Sequence, residues 1–325
     1  MNKIRLFLLL FLLQLSVLSM AQHDPYARVD SLMRLYNWKI KDVNEIYRLT
    51  HYIRTNFDAD SLRVRACFIW ITHNIAYDVR AYNGSDLMAG SVDYALKKRK
   101  AVCSGYASLF KLLCDALDIE CEIVTGYARG VGNSLVIHDK NIPSNHAWNA
   151  VKVNGTWRLL DATWAAGFVT EKNGILKKFF RNFNETYFFT PPHKLVLNHF
   201  PNKHKFQFLP TPIKEKDFKS VPRFEHDYLN DSIVEVFPQG IPLKAKKGDT
   251  LTFRFRSIAV VQRSFLFALS PDKEKTLYRG WAELKPDGWY EFKYPVSVTG
   301  TYPLYIGYEG NITRDYLWAY RLIVN

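Results

Sequence analysis

Through its first half the chain places apolar residues three and four apart, and through its last third it alternates them with polar ones. Between Lys39 and Phe57, the positions Ile40, Val43, Ile46, Tyr47, Leu49 and Ile53 predict a helix. A second helix is expected to start at Asp60 or Ser61 as N-cap, with Leu62, Ala66, Ile69 and Trp70 on one face. It ends near His73-Asn74 and leads into Ile75-Ala76-Tyr77-Asp78, after which Tyr82-Asn83-Gly84-Ser85 reads as a turn. Ser91 to Lys98 reads as a short helix. The basic run Lys97-Lys98-Arg99-Lys100 is then its solvated C-terminal end, where cations suit the helix dipole. A third long helix runs from Cys103 to about Leu117 on the stripe Tyr106, Phe110, Leu113 and Leu117.

Strand patterns follow. Cys121 to Ala128 reads as a strand, and Arg129 to Asn145, with Gly130, Gly132, Asn133, Asn141 and Pro143, as a mobile loop. Ala147 to Val153 and Thr156 to Asp161 flank Asn154-Gly155, a strong short-range hairpin signal. Pro191, Pro192, Pro201, Pro210, Pro212 and Pro222 punctuate what reads as an extended connector. From Ile233 the runs Thr252 to Arg256, Trp289 to Pro295, Tyr302 to Tyr308 and Tyr316 to Val324 alternate as strands. Turns such as Lys247-Gly248-Asp249 and Pro286-Asp287-Gly288 separate them, which predicts a β-sandwich. Its aromatics, including Trp281, Trp289 and Trp318, are expected to fill the sandwich core, and its role to be substrate positioning or docking.

The hairpin brings chemistry together. If Asn154-Gly155 is a two-residue turn, Val153 faces Thr156 and Trp148 lies opposite Asp161. His146, two residues before Trp148, shares its face and becomes a diagonal neighbour of Asp161. Cys103 opens a helix, where unpaired N–H groups and partial positive charge lower a thiol's pKa, and small residues follow it in Ser104-Gly105. Taken singly, Cys103 could be a buried structural thiol and His146 with Asp161 a satisfied surface pair. Taken together they suit a thiol nucleophile, a base that doubles as acid, and a carboxylate that orients it.

Composition narrows the setting. With 325 residues, 48% of them hydrophobic and 15% aromatic, the chain is folded and long enough for two domains. Four cysteines are too few for a disulfide scaffold and show no zinc-binding spacing. Cys67, Cys114 and Cys121 read as buried thiols, with a Cys114–Cys121 disulfide as the alternative. His193, His199 and His204 are spaced unlike a helical metal pair, so no metal and no cofactor is expected.

A net charge of +13 suggests an acidic partner until the amino terminus is read. Lys3 and Arg5 precede the apolar run Leu6 to Leu13, and Ser19-Met20-Ala21 supplies small residues for cleavage, which predicts a signal peptide over 1–21. Gln22 then starts the mature chain. It is not the cysteine of a lipoprotein anchor, and loss of Lys3 and Arg5 leaves +11. A secreted or periplasmic protein is expected, with no nucleic-acid partner and no transmembrane segment after cleavage.

Three motifs in order carry a family resemblance: Ala101-Val102-Cys103-Ser104-Gly105-Tyr106-Ala107, Asn145-His146-Ala147-Trp148-Asn149 and Leu160-Asp161-Ala162-Thr163-Trp164. They resemble the core of the transglutaminase-like superfamily, most closely its kyphoscoliosis-peptidase-like branch. Ile75-Ala76-Tyr77-Asp78 matches a segment often found upstream there. Tyr187-Phe188, Pro191, His199-Phe200-Pro201 and Gln207 resemble the tail that follows, so the likeness covers roughly Asn56 to Leu209. Ala101 departs from a common glycine without removing a reacting group.

The resemblance implies an α+β, papain-like core over 22–209. A linker over 210–232 and an all-β sandwich over 233–325 complete the expected organisation. It also implies Cys103 as nucleophile, His146 as base and acid, and Asp161 as the orienting residue, with the Cys103 N–H a donor to the oxyanion. Trp70 and Tyr77 are side-chain candidates for that donor role, or core packing. The expected activity is acyl transfer on peptide or protein amides, with cell-envelope substrates among the candidates and hydrolysis favoured. Protein crosslinking and a non-catalytic envelope scaffold are the alternatives.

Overall fold

The computed structural model describes residues 24–36, 39–130, 144–172, 175–220, 223–224, 233–238, 242–257, 265–269, 276–307 and 316–325. The expected signal segment 1–21 and residues 131–143 of the expected loop lie outside them.

The core forms around one helix that is apolar on every side. Asp60–Asn74 buries every residue from Val64 to Thr72, which suits a helix enclosed by others rather than one lying at a surface. Its N-cap is Ala59, which offers no side-chain acceptor, in place of the expected Asp60 or Ser61. Asp60 falls in the first turn, where its charge favours the dipole without capping. Ile46–Asn56 packs beside it on Ile46, Leu49, Thr50 and Ile53. A short 3-10 turn, Val43–Glu45, precedes that helix, and Val43 and Tyr47 fall off its buried stripe and are exposed. Cys103–Asp115 is the third helix of the core, and Leu117 lies in the turn just beyond its end.

Against the Cys103–Asp115 helix packs an antiparallel sheet of order β5-β4-β3-β8. Its strands are β3 (Cys121–Ala128), β4 (His146–Val153), β5 (Thr156–Leu160) and β8 (His199–Pro201). Asn154 and Gly155 both have positive φ, 50° and 75°, as a hairpin turn matched to strand twist requires, and Val153 pairs with Thr156 as expected. A parallel pair, β1 (Ala76–Tyr77) and β2 (Lys100–Ala101), sets Tyr77 opposite Ala101, two residues before Cys103. After the short helix Ala162–Ala166, β6 (Gly167–Lys172) and β7 (Ile175–Arg181) form a separate hairpin. Helices on an antiparallel sheet make this an α+β, papain-like core.

The C-terminal strands form two sheets. The first contains β12 (Thr250–Ser257) and β16 (Tyr290–Pro295), and the second β14 (Thr276–Trp281), β17 (Gly300–Gly307) and β18 (Tyr316–Val324). Phe253 meets Tyr320 with ring centroids 5.2 Å apart, Phe255 meets Trp318 at 5.6 Å, and Tyr294 meets Tyr278 at 5.4 Å. The sheets thus face each other across aromatic side chains, as a sandwich does. Trp318 is fully buried there, but Trp281 is 56% exposed because it ends the edge strand β14. Trp289 also lies outside the core, between the guanidinium groups of Arg254 and Arg256.

The segment expected as a linker, 210–232, carries the helix Glu215–Ser220. Its Phe218 is buried against Tyr127 and Phe200, and Arg223 and Phe224 pair with β18. Among the described residues no helix is long and apolar enough to cross a membrane.

Candidate active site

Cys103 is the first residue of its helix, so its N–H has no intrahelical partner and the helix dipole acts on its thiol. The start of that helix is pinned from outside: Val102 donates its N–H to the Ala89 carbonyl at 3.1 Å. Gly105 is required by the same packing. A Cβ there would stand 2.7 Å from the Ala89 oxygen and 2.8 Å from the Ala101 Cβ.

His146 opens β4, and the residue before it fixes where the strand begins. The Asn145 side chain accepts from the Ala128 N–H at 2.7 Å and donates to the Ala128 carbonyl at 3.1 Å. Asp161 follows β5 and caps the helix Ala162–Ala166, its Oδ1 accepting from Thr163 N–H at 2.8 Å and Trp164 N–H at 3.0 Å. Its Oδ2 lies 2.7 Å from His146 Nε2, the contact that the hairpin register predicts. His146 and the Cys103 thiol are close enough to shift each other.

Electrostatics follow from this geometry. Burial alone would lower the His146 imidazole, but the Asp161 charge and hydrogen bond, joined by Cys103, push it up to about 10. Burial would raise the Cys103 thiol. The bond and charge of His146 and the backbone N–H of Ala147 outweigh it and bring the thiol below its ordinary value. Burial would likewise raise Asp161, yet His146 and then His199 hold it well below the carboxylate range. By contrast, burial pushes the Cys67 and Cys114 thiols up. All four cysteines are free thiols, and Cys103 is brought below its ordinary value by His146.

A pH dependence is expected from this. Alkylation of Cys103 should persist to lower pH than that of an ordinary thiol. The raised imidazole stabilises the fold fully below its ordinary 6.5, and that stabilisation drains away as pH rises through about 10. Thermal unfolding midpoints of wild type and His146→Gln, compared from pH 6 to 10, should converge at the alkaline end.

His199, which falls in the proline-punctuated segment expected to be a connector, is part of the site. It pairs with Ala128 across β3 and β8, is fully buried, and its Nε2 lies 3.1 Å from the same Asp161 Oδ2. Its Nδ1 lies 2.7 Å from Asn198 Oδ1. Trp164 stands 4.5 Å from the His199 ring and 5.4 Å from that of His146, and Trp148 borders both. Aromatic walls of this kind exclude water and strengthen the charge interactions inside. No spacing signal marks His199, since strand pairing alone brings it to a carboxylate 38 residues away.

His146, Asp161 and His199 offer ligand atoms within 4.8 Å of one another and could hold a divalent ion. As they stand, the two imidazoles share one carboxylate oxygen, and that bonding already occupies both Nε2 atoms. His193 and His204, read beside His199 in the sequence, are exposed on other segments and do not join it. Of the two side-chain candidates for an oxyanion donor, Trp70 is fully buried under the Arg99 guanidinium. Tyr77 is near Cys103, and burial followed by the Cys103 charge raises its phenol, which therefore stays protonated.

Comparison with known proteins agrees with this arrangement. Residues 47–162 match the transglutaminase-like superfamily. The kyphoscoliosis peptidase of Mus musculus is 32% identical over 254 residues, 78% of this chain and 36% of that protein. That of Homo sapiens is 32% identical over 252 residues with the same shares. Hillarin of Drosophila melanogaster is 26% identical over 174 residues, 50% of this chain and 20% of that protein. The chain spans 36% of the length of the first two relatives. The match spans the first two motifs and reaches Asp161 in the third, and with the kyphoscoliosis peptidases 32% identical over 78% of its length, this chain belongs to the transglutaminase-like superfamily, in their branch.

Proposed function

We propose that the protein is an exported cysteine-nucleophile enzyme that hydrolyses peptide or protein amide bonds through Cys103, His146 and Asp161. One arrangement carries this reading: Cys103 opens its helix beside His146, whose Nε2 is held 2.7 Å from Asp161, and the imidazole brings the thiol below its ordinary value. The Cys103 thiolate attacks the amide carbonyl and forms a C–S bond. The oxyanion that develops accepts hydrogen bonds from the Cys103 N–H and the Tyr77 hydroxyl. His146 passes its proton to the amine nitrogen as the C–N bond breaks, leaving a thioester and a neutral imidazole. That imidazole takes a proton from water, the resulting hydroxide equivalent attacks the thioester, and the C–S bond breaks to release the acid and restore the ion pair. An amine in place of water would complete a crosslink instead. The names of the relatives favour hydrolysis, and the apolar leader Leu6 to Leu13 favours export to the cell envelope or beyond.

Iodoacetamide at pH 6 tests the reading. Cys103 should be alkylated in preference to the other three cysteines, and His146→Ala should slow that reaction about tenfold or more by removing the imidazolium. Acyl-enzyme trapped from an envelope extract, absent with Cys103→Ala, would identify the substrate. A Cys103 that reacts no faster than an ordinary thiol would remove the enzyme reading and leave a scaffold.

A further inference from the structure

Around His146 and Tyr77 the surface opens into a cleft of about 120 Å³ that extends beyond the reacting groups. Tyr77 and Trp164 form its inner wall, and Phe168, Val169, Leu176 and Phe179 of the β6–β7 hairpin form its outer one. Its polar lining includes His146, Asn145 and Thr163, and it contains no Asp, Glu, Lys or Arg.

The outer wall is built in place. Gly167 leaves the Asp161-capped helix at φ 153°, and a Cβ there would fall 2.1 Å from the Phe180 carbonyl, so only glycine allows the hairpin to turn back so closely. Asn83 donates to the Leu176 carbonyl at 2.7 Å, and Asn182 N–H to the Ala166 carbonyl at 3.2 Å. Arg181 reaches the carbonyls of Thr72 and Ile75. Such ties fit a preformed pocket of the kind that takes an apolar group. The lip continues the same chemistry, since Phe168 is 45% exposed and stacks on Phe180 at 5.3 Å. Large exposed apolar groups beside a reactive thiol mark a contact surface.

We propose that this cleft is the specificity subsite for an uncharged aromatic or branched aliphatic side chain of a peptide, held next to the amide that Cys103 attacks. The inference rests on the acyl-transfer reading and adds the substrate class to it. An apolar side chain loses water on both surfaces in the cleft, whereas a charged one would be desolvated with only His146, already paired with Asp161, to meet it.

The test uses the full chain and synthetic peptides in which each position flanking a central amide is Phe, Leu, Gly, Asp or Lys. Cleavage is read by mass spectrometry, with iodoacetamide labelling of Cys103 measured in parallel. At one flanking position Phe or Leu should exceed Gly by about tenfold and Asp or Lys by on the order of a hundredfold. Val169→Asp, at a partly exposed lining position, should cut the apolar preference about tenfold and favour Lys there. Ile175→Asp, on the same hairpin but outside the cleft, should leave the profile unchanged.

Ile175→Asp should keep wild-type labelling, and in Val169→Asp labelling should still depend on His146, which shows the nucleophile intact. His146-dependent labelling with no cleavage, with no apolar preference, or with a profile that Val169→Asp does not move would overturn the subsite and leave the nucleophile standing. An inert thiol would overturn the acyl-transfer reading and the subsite with it.

Discussion

Replacing Asp161 with asparagine is expected to lower kcat/KM about 10⁴-fold while the protein remains folded, the scale found when a buried orienting carboxylate in a catalytic triad becomes an amide. The carboxylate does two jobs with its two oxygens. Oδ1 accepts from the Thr163 and Trp164 N–H groups, and an asparagine oxygen would keep those bonds. Oδ2 accepts from the imidazoles of His146 and His199, and there an amide NH₂ would present hydrogens instead. His146 Nε2 would then have to accept, its proton would move to the nitrogen facing Cys103, and the ring could no longer take one from the thiol. The imidazolium would lose its counter-charge, so alkylation of Cys103 at pH 6 should fall in parallel. Steady-state kinetics with the labelling rate measure both. A variant within tenfold of wild type would mean that Asp161 does not orient the base. Asp161→Ala should add instability, because it removes the helix cap as well and leaves both buried imidazoles without their acceptor.

Arg65 should show the largest effect on stability away from the site. Its side chain is 2% exposed in the middle of the central helix Asp60–Asn74. It donates to Asp30 through two contacts of 2.8 Å and to Glu185 through contacts of 2.7 and 2.6 Å. Phe188, Tyr26 and Phe183 surround the guanidinium at 4.7, 5.1 and 5.5 Å from their centroids. Arg65→Met should destabilise by about 3 kcal/mol, the low end for breaking a buried ion pair. The reason for the low end is that Glu185 is 58% exposed and regains water, so the cost falls mainly on Asp30, which is 14% exposed. Urea unfolding should show a lower midpoint with an unchanged slope. Arg65→Lys should fall between, since one ammonium cannot make two forked contacts. The helix Ala27–Leu35, which carries Asp30, should become the first segment cut by protease. A midpoint equal to wild type would show that the pair only offsets its own desolvation.

These two residues differ in how legible they were. Asp161 was readable because Asn154-Gly155 sets a register, and register carries side chains to one face by counting. Arg65 was not, because a charged residue within an apolar run looks like the wet side of a helix. Only the elements that close around Asp60–Asn74 make it an interior charge. The same limit separates Trp318, buried in a central strand, from Trp281, which shares its pattern but ends at a sheet edge. It also explains Ala59: capping propensity favours Asp60 or Ser61, but packing of the apolar run set where the helix begins.

By itself the sequence determined what local rules and close register can carry: the helices and strands of the core, the turn, and the approach of His146 to Asp161. Each depends on residues near in sequence or on a period of 3.6 or 2. Tertiary structure alone decided the partners that come from far along the chain. Among them are His199 on the second side of Asp161, Tyr77 beside Cys103, and the β6–β7 wall that shapes the cleft. It also decided the acid–base character of the site, because a pKa depends on burial and on the charges within a few ångströms, and neither is a property of spacing along a chain.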